Sequence, residues 1–317
     1  MTTARPPGAD EAAGRAGAAF RALLDDGWEL PLPGHGATAQ RWEALAALGA
    51  ADLPMARLAE GHADAVAVLA ELDGPPPGAG HRLGVWAAEP PAARLGARRI
   101  DGGWLLDGRK AWCSGARTLT HALVTAHADD GRRLFLADLT RGGARADPGV
   151  WCGPGMVASD TADVYFDSVP AVAVGGAGAY VERPGFWHGG IGVAAVWAGG
   201  ARAVAARLRT TDPDPLRAAA LGAVDVALHA SGAALRDAAR EVDADPGDLP
   251  AARLRAMRVR AVVAHSVDDV LATVGRALGA GPLAHDGAHA QRVADLAVYV
   301  RQHHGERDLA ALGELLS

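Results

Sequence analysis

Asp107-Gly108-Arg109-Lys110-Ala111-Trp112-Cys113-Ser114-Gly115 is the stretch on which the reading of this chain turns. It holds the sole lysine of a 317-residue chain that has 31 lysines and arginines together. That lysine stands beside a tryptophan and a hydroxyl residue. Upstream lies Arg99-Ile100-Asp101-Gly102-Gly103-Trp104-Leu105-Leu106, whose Asp-Gly-Gly supplies the positive φ angles of a tight hairpin. The quoted stretch is therefore read as a strand leaving a hairpin. Downstream comes a second unusual string, Gly155-Met156-Val157-Ala158-Ser159-Asp160-Thr161-Ala162-Asp163-Val164-Tyr165-Phe166-Asp167-Ser168-Val169-Pro170.

Outward from these strings, residues 82 to 172 read as β structure. Ala122 to Ala126 and Arg133 to Asp138 pair around Asp129-Asp130-Gly131, and Asp163 to Phe166 alternates as a strand before Pro170. Short strands with recurring turn signals predict a small antiparallel barrel or sandwich. Before this region, helices are expected at 11–24, 38–47 and 53–72, separated by Pro31-Leu32-Pro33-Gly34 and Gly49. After it, helices are expected at 185–209, 214–243, 250–279 and 287–315, with Pro215 and Pro250 in first turns. The expected class is α+β: N-terminal helices over 1–78, a middle β-domain over 79–178, and a C-terminal four-helix bundle over 179–317.

Composition narrows the function. A net charge of -6 and no basic stripe argue against nucleic acid as a partner. The N-terminus lacks the charged and apolar regions of a signal peptide, and no uninterrupted apolar run of membrane-spanning length occurs, so no membrane partner is expected. Two cysteines, Cys113 and Cys152, make neither a disulfide framework nor a metal motif, and the simplest setting is reducing and cytoplasmic. His62, His229, His265 and His285 lack carboxylate or cysteine partners at ligand spacing, so no metal is expected.

The two strings and the helix–β–helix order resemble the acyl-CoA dehydrogenase family of flavoproteins. The resemblance covers most of the chain and is strongest at 85–170 and near the C-terminus. It implies FAD as cofactor, an acyl thioester such as an acyl-CoA as substrate, and a homodimer or homotetramer. It places Trp112 along the flavin ring and the Ser114 hydroxyl near flavin N5, within a cofactor site that also takes in Lys110 and Glu89, the latter from the family's Glu-Pro at Glu89-Pro90. An indole offers a flat apolar wall and a hydroxyl can donate to a flavin. Pro184-Gly185-Phe186-Trp187-His188-Gly189-Gly190 opens a long helix where the family lines its substrate pocket, which nominates Phe186, Trp187 and His188. The family's catalytic Glu-Gly falls on His304-Gly305, counted from Gln291-Arg292-Val293-Ala294-Asp295 with a register good to about one residue, and Glu306 is a rival base. A histidine can take a proton near neutral pH.

The chain also departs from the family. Ala88 replaces the hydroxyl residue before Glu89-Pro90, and the family's Gly-Ser-Asp after it is missing. The Phe-Gly that accompanies the arginine on the FAD pyrophosphate is absent, because the last of four phenylalanines is Phe186. Arg207, Arg209 or Arg217 would have to replace that clamp. Three functions follow. The first is an FAD-dependent oxidoreductase acting on CH-CH groups by α-proton abstraction and hydride transfer. The second is a flavin-dependent monooxygenase on the same fold. The third is a non-catalytic homologue without flavin.

Overall fold

The computed structural model describes residues 5–210 and 214–317. Packing divides the chain into two compact units. The first comprises Met1–Glu29, Arg57–Gly153 and Val157–Phe186, and the second Leu30–Ala56, Pro154–Met156 and Trp187–Ser317. The division expected at 78 and 178 does not follow this packing. The N-terminal helices split between the units, because each buries its apolar face against a different partner.

The first unit carries the sheet. Its strands are β1 (Leu83–Trp86), β2 (Leu95–Ile100), β3 (Gly103–Cys113), β4 (His121–Ala128), β5 (Gly131–Asp138), β6 (Ala144–Asp147) and β7 (Ala162–Val174). Strands β4, β2, β3, β7 and β5 pair in that order, and β5 pairs back onto β4, so five strands close a barrel. β1 adds to β4 and β6 adds to β7. Both expected hairpins form: Ile100 pairs Gly103 across Asp101-Gly102, and Ala128 pairs Gly131 across Asp129-Asp130. The barrel is not purely antiparallel as expected, because β4 runs parallel to β1 and to β2 along one edge. Helix α1 (Ala9–Asp25) belongs to this unit, as does most of helix α3 (Leu53–Glu71), whose Ala65, Val68 and Leu69 pack with Leu83, Leu123, Leu134 and Val174 in a buried core.

The second unit is helical. It contains α2 (Thr38–Ala51), most of α4 (Pro184–Ala206), α5 (Pro215–Ala244), α6 (Leu249–Leu278), a short α7 (Gly281–His285), α8 (Gly287–Tyr299) and α9 (Glu306–Glu314). The α2–α4 crossing needs glycine. A Cβ on Gly199 would sit 1.9 Å from the Ala46 carbonyl, and one on Gly49 would sit 2.3 Å from that of Val196. Asp214 and Asp248 cap α5 and α6 by accepting backbone N–H groups of their first turns, and Pro215 and Pro250 occupy those turns as expected. The single helix expected over 287–315 is instead broken. A 3₁₀ turn at Val300–Gln302 and Gly305 at φ 56° interrupt it, and the Asp308 carboxylate accepts the His304 N–H at 3.0 Å. Two helical stretches among the described residues are long and apolar enough for a bilayer, Pro184–Arg209 and Pro215–Ala244. Of the apolar window, 72% is buried in the first and 28% in the second.

Candidate flavin site

Strand β3 positions the first candidate residues through an irregularity. Residues two apart on a regular strand share a face, so Lys110 and Trp112 would point the same way. The β3–β7 register shifts between Lys110 and Cys113, and Trp112 adopts φ 61°, the left-handed region that tryptophan avoids. Lys110 is consequently buried at 2% exposure while Trp112 is 58% exposed. Non-glycine residues held in this region cluster at functional sites, because surrounding structure must enforce the strain. Here the enforcement is visible in the segment that follows. The Gly115 N–H donates to the Ser159 carbonyl and the Ala116 N–H to the Asp160 carbonyl. The Asp160 carboxylate accepts from the Arg117 N–H, Nε and Nη2 at 2.9, 2.8 and 2.6 Å. Asp160 itself sits at φ 51°.

The outward indole of Trp112 meets Trp151 edge to face, with ring centroids 5.6 Å apart. Half-buried Ser114 continues the strand end. Its hydroxyl lies 3.1 Å from that of Thr161, which lies 2.8 Å from that of Ser159. The Trp86 indole N–H donates to the Ser114 carbonyl at 3.0 Å and fixes the backbone beneath the hydroxyl. The first unit thus brings an exposed aromatic corner and a chain of three hydroxyls to the end of one strand. That combination fits a flat heteroaromatic ring with polar edge atoms. Trp151, Ser159 and Thr161 were missed as site residues. Ser159 and Thr161 lay in the second quoted string, and only the fold shows that they belong beside Ser114.

Lys110 and Glu89 are not part of that surface. Lys110 Nζ donates to the Thr125 carbonyl and hydroxyl, both at 2.7 Å, and to Glu89 Oε1 at 3.3 Å. Its three donors are consumed inside the barrel, leaving none for a ligand. Burial lowers its pKa to about 8 against the raising effect of Glu89. Burial pushes the Glu89 carboxyl up, but the Thr125 hydroxyl, Lys110 and Arg132 outweigh it, and the net direction is down. Arg132 Nε lies 3.0 Å from Glu89 Oε1. The chain's one lysine is a buried strut.

The residues expected to line a substrate pocket lie in the first turns of α4. Phe186 meets Tyr180 edge to face at 5.3 Å and packs on the apolar core of the first unit. In the second unit Trp187 lies under the Arg253 guanidinium at 5.6 Å, and His188 is buried at 2% exposure. Of the adjacent histidines, His304 points outward: its side chain is 62% exposed and its Nδ1 lies 3.3 Å from Asp308 Oδ1. His303 is the buried one. Its Nδ1 accepts the Gly305 N–H at 3.2 Å, and its side chain is 5% exposed. Burial lowers its pKa, with Asp308 opposing. A base shielded from bulk water is offered by His303 and not by His304, a shift of one residue in register. Glu306 is exposed in the first turn of α9. Arg207 pairs with Asp286 and Arg217 with Asp214, both at 3.2 Å, so each neutralises a neighbouring carboxylate. No group of three or more possible metal-ligating side chains occurs among the described residues.

Helices before and after a closed five-stranded barrel make the acyl-CoA dehydrogenase-like fold, which the structurally similar proteins share. No family model matches the sequence. An amino sugar nitrososynthase from Streptomyces rubradiris is 42% identical over 80 residues, which is 23% of this chain and 18% of that protein's length. The structure of TdsC from Paenibacillus sp. A11-2 with FMN and indole is similar with a TM-score of 0.77 at 19% identity, covering 97% of this chain and 96% of that one. KijD3 in complex with FMN and dTDP-3-amino-2,3,6-trideoxy-4-keto-3-methyl-D-glucose gives a TM-score of 0.72 at 21% identity, covering 95% and 91%. At these identities the structural likeness is one of fold.

Proposed function

We propose that this chain is a flavin-dependent monooxygenase that takes FMN and oxygenates an amine on a small polar substrate of the amino-sugar class. The observation that carries the flavin reading is Trp112, exposed and strained at the end of β3 beside the Ser114 hydroxyl. FMN is favoured over FAD by the absence of the Phe-Gly motif, and Arg207 and Arg217 each already pair with a neighbouring carboxylate. FMN also accompanies TdsC and KijD3 in the structures of similar fold. The amine substrate is supported by the local match to an amino sugar nitrososynthase. The acyl-thioester reading loses support at Ala88 and at the missing Gly-Ser-Asp.

Bound reduced flavin would supply the two electrons of the reaction R–NH2 + O2 + 2 e⁻ + 2 H⁺ → R–NHOH + H2O. The chain's residues have narrower tasks. Trp112 offers the ring an apolar wall, and Ser114, Thr161 and Ser159 supply a relay of hydroxyl donors. In the second unit His303 offers a shielded proton acceptor, with one nitrogen already fixed by the Gly305 N–H. The protein associates as a homodimer or larger, through α5, on which Leu216 and Val226 are 83% and 70% exposed.

The test is a titration of the purified protein with FMN, FAD and their reduced forms, followed by turnover with a separate flavin reductase, oxygen and a panel of amino sugar nucleotides. Product gaining one oxygen atom, with FMN binding tighter than FAD, supports the proposal. Bleaching of bound flavin by an acyl-CoA without oxygen would return the dehydrogenase reading. No response of tryptophan fluorescence to any flavin would leave a non-catalytic homologue.

A further inference from the structure

Strand β3 ends in a turn that is stitched to the segment before β7. The Gly115 N–H donates to the Ser159 carbonyl at 2.8 Å and the Ala116 N–H to the Asp160 carbonyl at 3.1 Å. The Asp160 carboxylate closes the seam with both oxygens. Its Oδ2 accepts the Arg117 N–H at 2.9 Å, and its Oδ1 accepts Arg117 Nε and Nη2 at 2.8 and 2.6 Å. These contacts flank the hydroxyl pair of the candidate flavin site, Ser114 and Thr161 at 3.1 Å. Helix α1 stands behind the turn. A Cβ on Gly17 would sit 2.7 Å from Thr118 Oγ1, and Asp10 Oδ1 accepts from Arg117 Nη2 at 2.9 Å. Every residue of this seam belongs to the first unit.

We propose that Asp160 is a positioning residue, whose carboxylate holds Arg117 and the turn after β3 and so sets the Ser114 hydroxyl against Thr161. The functional part rests on the flavin reading above, and the structural part does not. Asp160 is 2% exposed and sits at φ 51°, so it is held where a residue with a Cβ is disfavoured. Each of its oxygens faces a different donor of Arg117, the backbone N–H on one side and the guanidinium on the other. An asparagine would have the same shape and tolerate the same backbone angle. One of its two polar ends, however, is an NH2 group, which only donates. Whichever way that amide turned, it would aim N–H at N–H, at the backbone or at the guanidinium. The seam therefore requires a carboxylate and not merely a polar side chain of this size. Hydrogen bonds between charged groups of this kind are roughly twice as strong as neutral ones. Asp10 is the contrast: its side chain is 72% exposed, and exposed ion pairs contribute little.

The test compares D160N with the wild type. Should D160N fail to fold, R117K takes its place in both readouts, since it keeps the charge and loses the planar array of donors. The first readout needs no flavin. The Trp86 indole N–H donates to the Ser114 carbonyl at 3.0 Å, so its nuclear magnetic resonance signal, assigned by its loss in Trp86→Phe, reports where the Ser114 backbone lies. D160N is expected to shift that signal with the far-ultraviolet helix signal intact. An unmoved signal overturns the proposal. The second readout is a double-mutant cycle in FMN affinity. D160N and S114A are each expected to weaken binding about tenfold. Because Asp160 acts through the Ser114 hydroxyl, the double variant should bind FMN within about twofold of the weaker single variant. Losses that multiply to about a hundredfold, or wild-type affinity in D160N, overturn the proposal. D10N should keep wild-type affinity within about twofold, and a loss there equal to that of D160N overturns the role of the buried carboxylate. If the wild type binds no flavin, the proposed function fails and the first readout still judges the seam.

Discussion

Trp112 allows strain and function to be separated with two substitutions. At φ 61° its backbone occupies the left-handed region, which costs a residue with a Cβ about 1–2 kcal/mol. Trp112→Ala removes the indole and keeps the Cβ. Trp112→Gly removes both. Roughly two-fifths of the indole is covered, given 58% exposure, and that loss of packing is common to both variants and cancels between them. Glycine gains relief of the strain and loses about 0.5–1 kcal/mol through greater freedom of the unfolded chain. The expected net difference is therefore between about 0 and 1.5 kcal/mol in favour of Trp112→Gly over Trp112→Ala, read from paired urea unfolding curves with equal slopes. FMN affinity should fall by at least about tenfold in both, since the stacking wall is gone from each. A glycine variant less stable than the alanine variant would show that the backbone is not strained there. Flavin binding unchanged in both would remove the indole from the cofactor site.

Other outcomes follow from the same geometry. Asp295→Asn should raise unfolding stability at pH 7.5 by at most about 3 kcal/mol, from a carboxyl moved from 3.8 to about 6 in the folded state. The sign follows from proton counting: between those pH values the folded protein binds more protons than the unfolded one, so the wild type loses stability as pH rises, and the gap to the variant should shrink at pH 5. Lys110→Met should destabilise the protein by about 1–3 kcal/mol, because Glu89 loses a partner but keeps Thr125 and Arg132. Its residual flavin affinity, measured where it is folded, should equal that of the wild type. His303→Gln should slow turnover by about 10²-fold or more with FMN affinity retained, and His304→Gln should be nearly silent. The reverse order would restore His304.

The elements that sequence reveals are those whose signals are local. Both hairpins are announced by Asp-Gly and Asp-Asp-Gly, and the starts of α5 and α6 by Asp214-Pro215 and by Pro250 two residues after Asp248. What stays hidden depends on distant partners. The break at residues 300–305 is marked in sequence by one glycine, and it is the capping of His304 by Asp308 that settles which of two adjacent histidines turns inward. The split of the N-terminal helices between two units depends on which apolar face finds which partner, and periodicity shows only that a face exists. Lys110 stands out by rarity, but rarity does not say which side of a strand a residue occupies. The register shift after it, which sends lysine inward and tryptophan outward, has no signature in the letters Lys-Ala-Trp-Cys.

The residues with the best claim to function are those at which local preference is overruled. Trp112 and Asp160 occupy a backbone region suited to glycine. A fold selected for stability alone gains nothing at these positions, and consistency of local preference with global structure is the normal condition of a natural sequence. Lys110 is the instructive contrast. It is the most conspicuous residue in the sequence, yet its charge is answered by Glu89 and its donors by Thr125. A buried ion with every partner present explains itself by structure, whereas an exposed indole on a strained backbone does not. That difference is why we rest the flavin reading on Trp112 and Ser114 and not on Lys110.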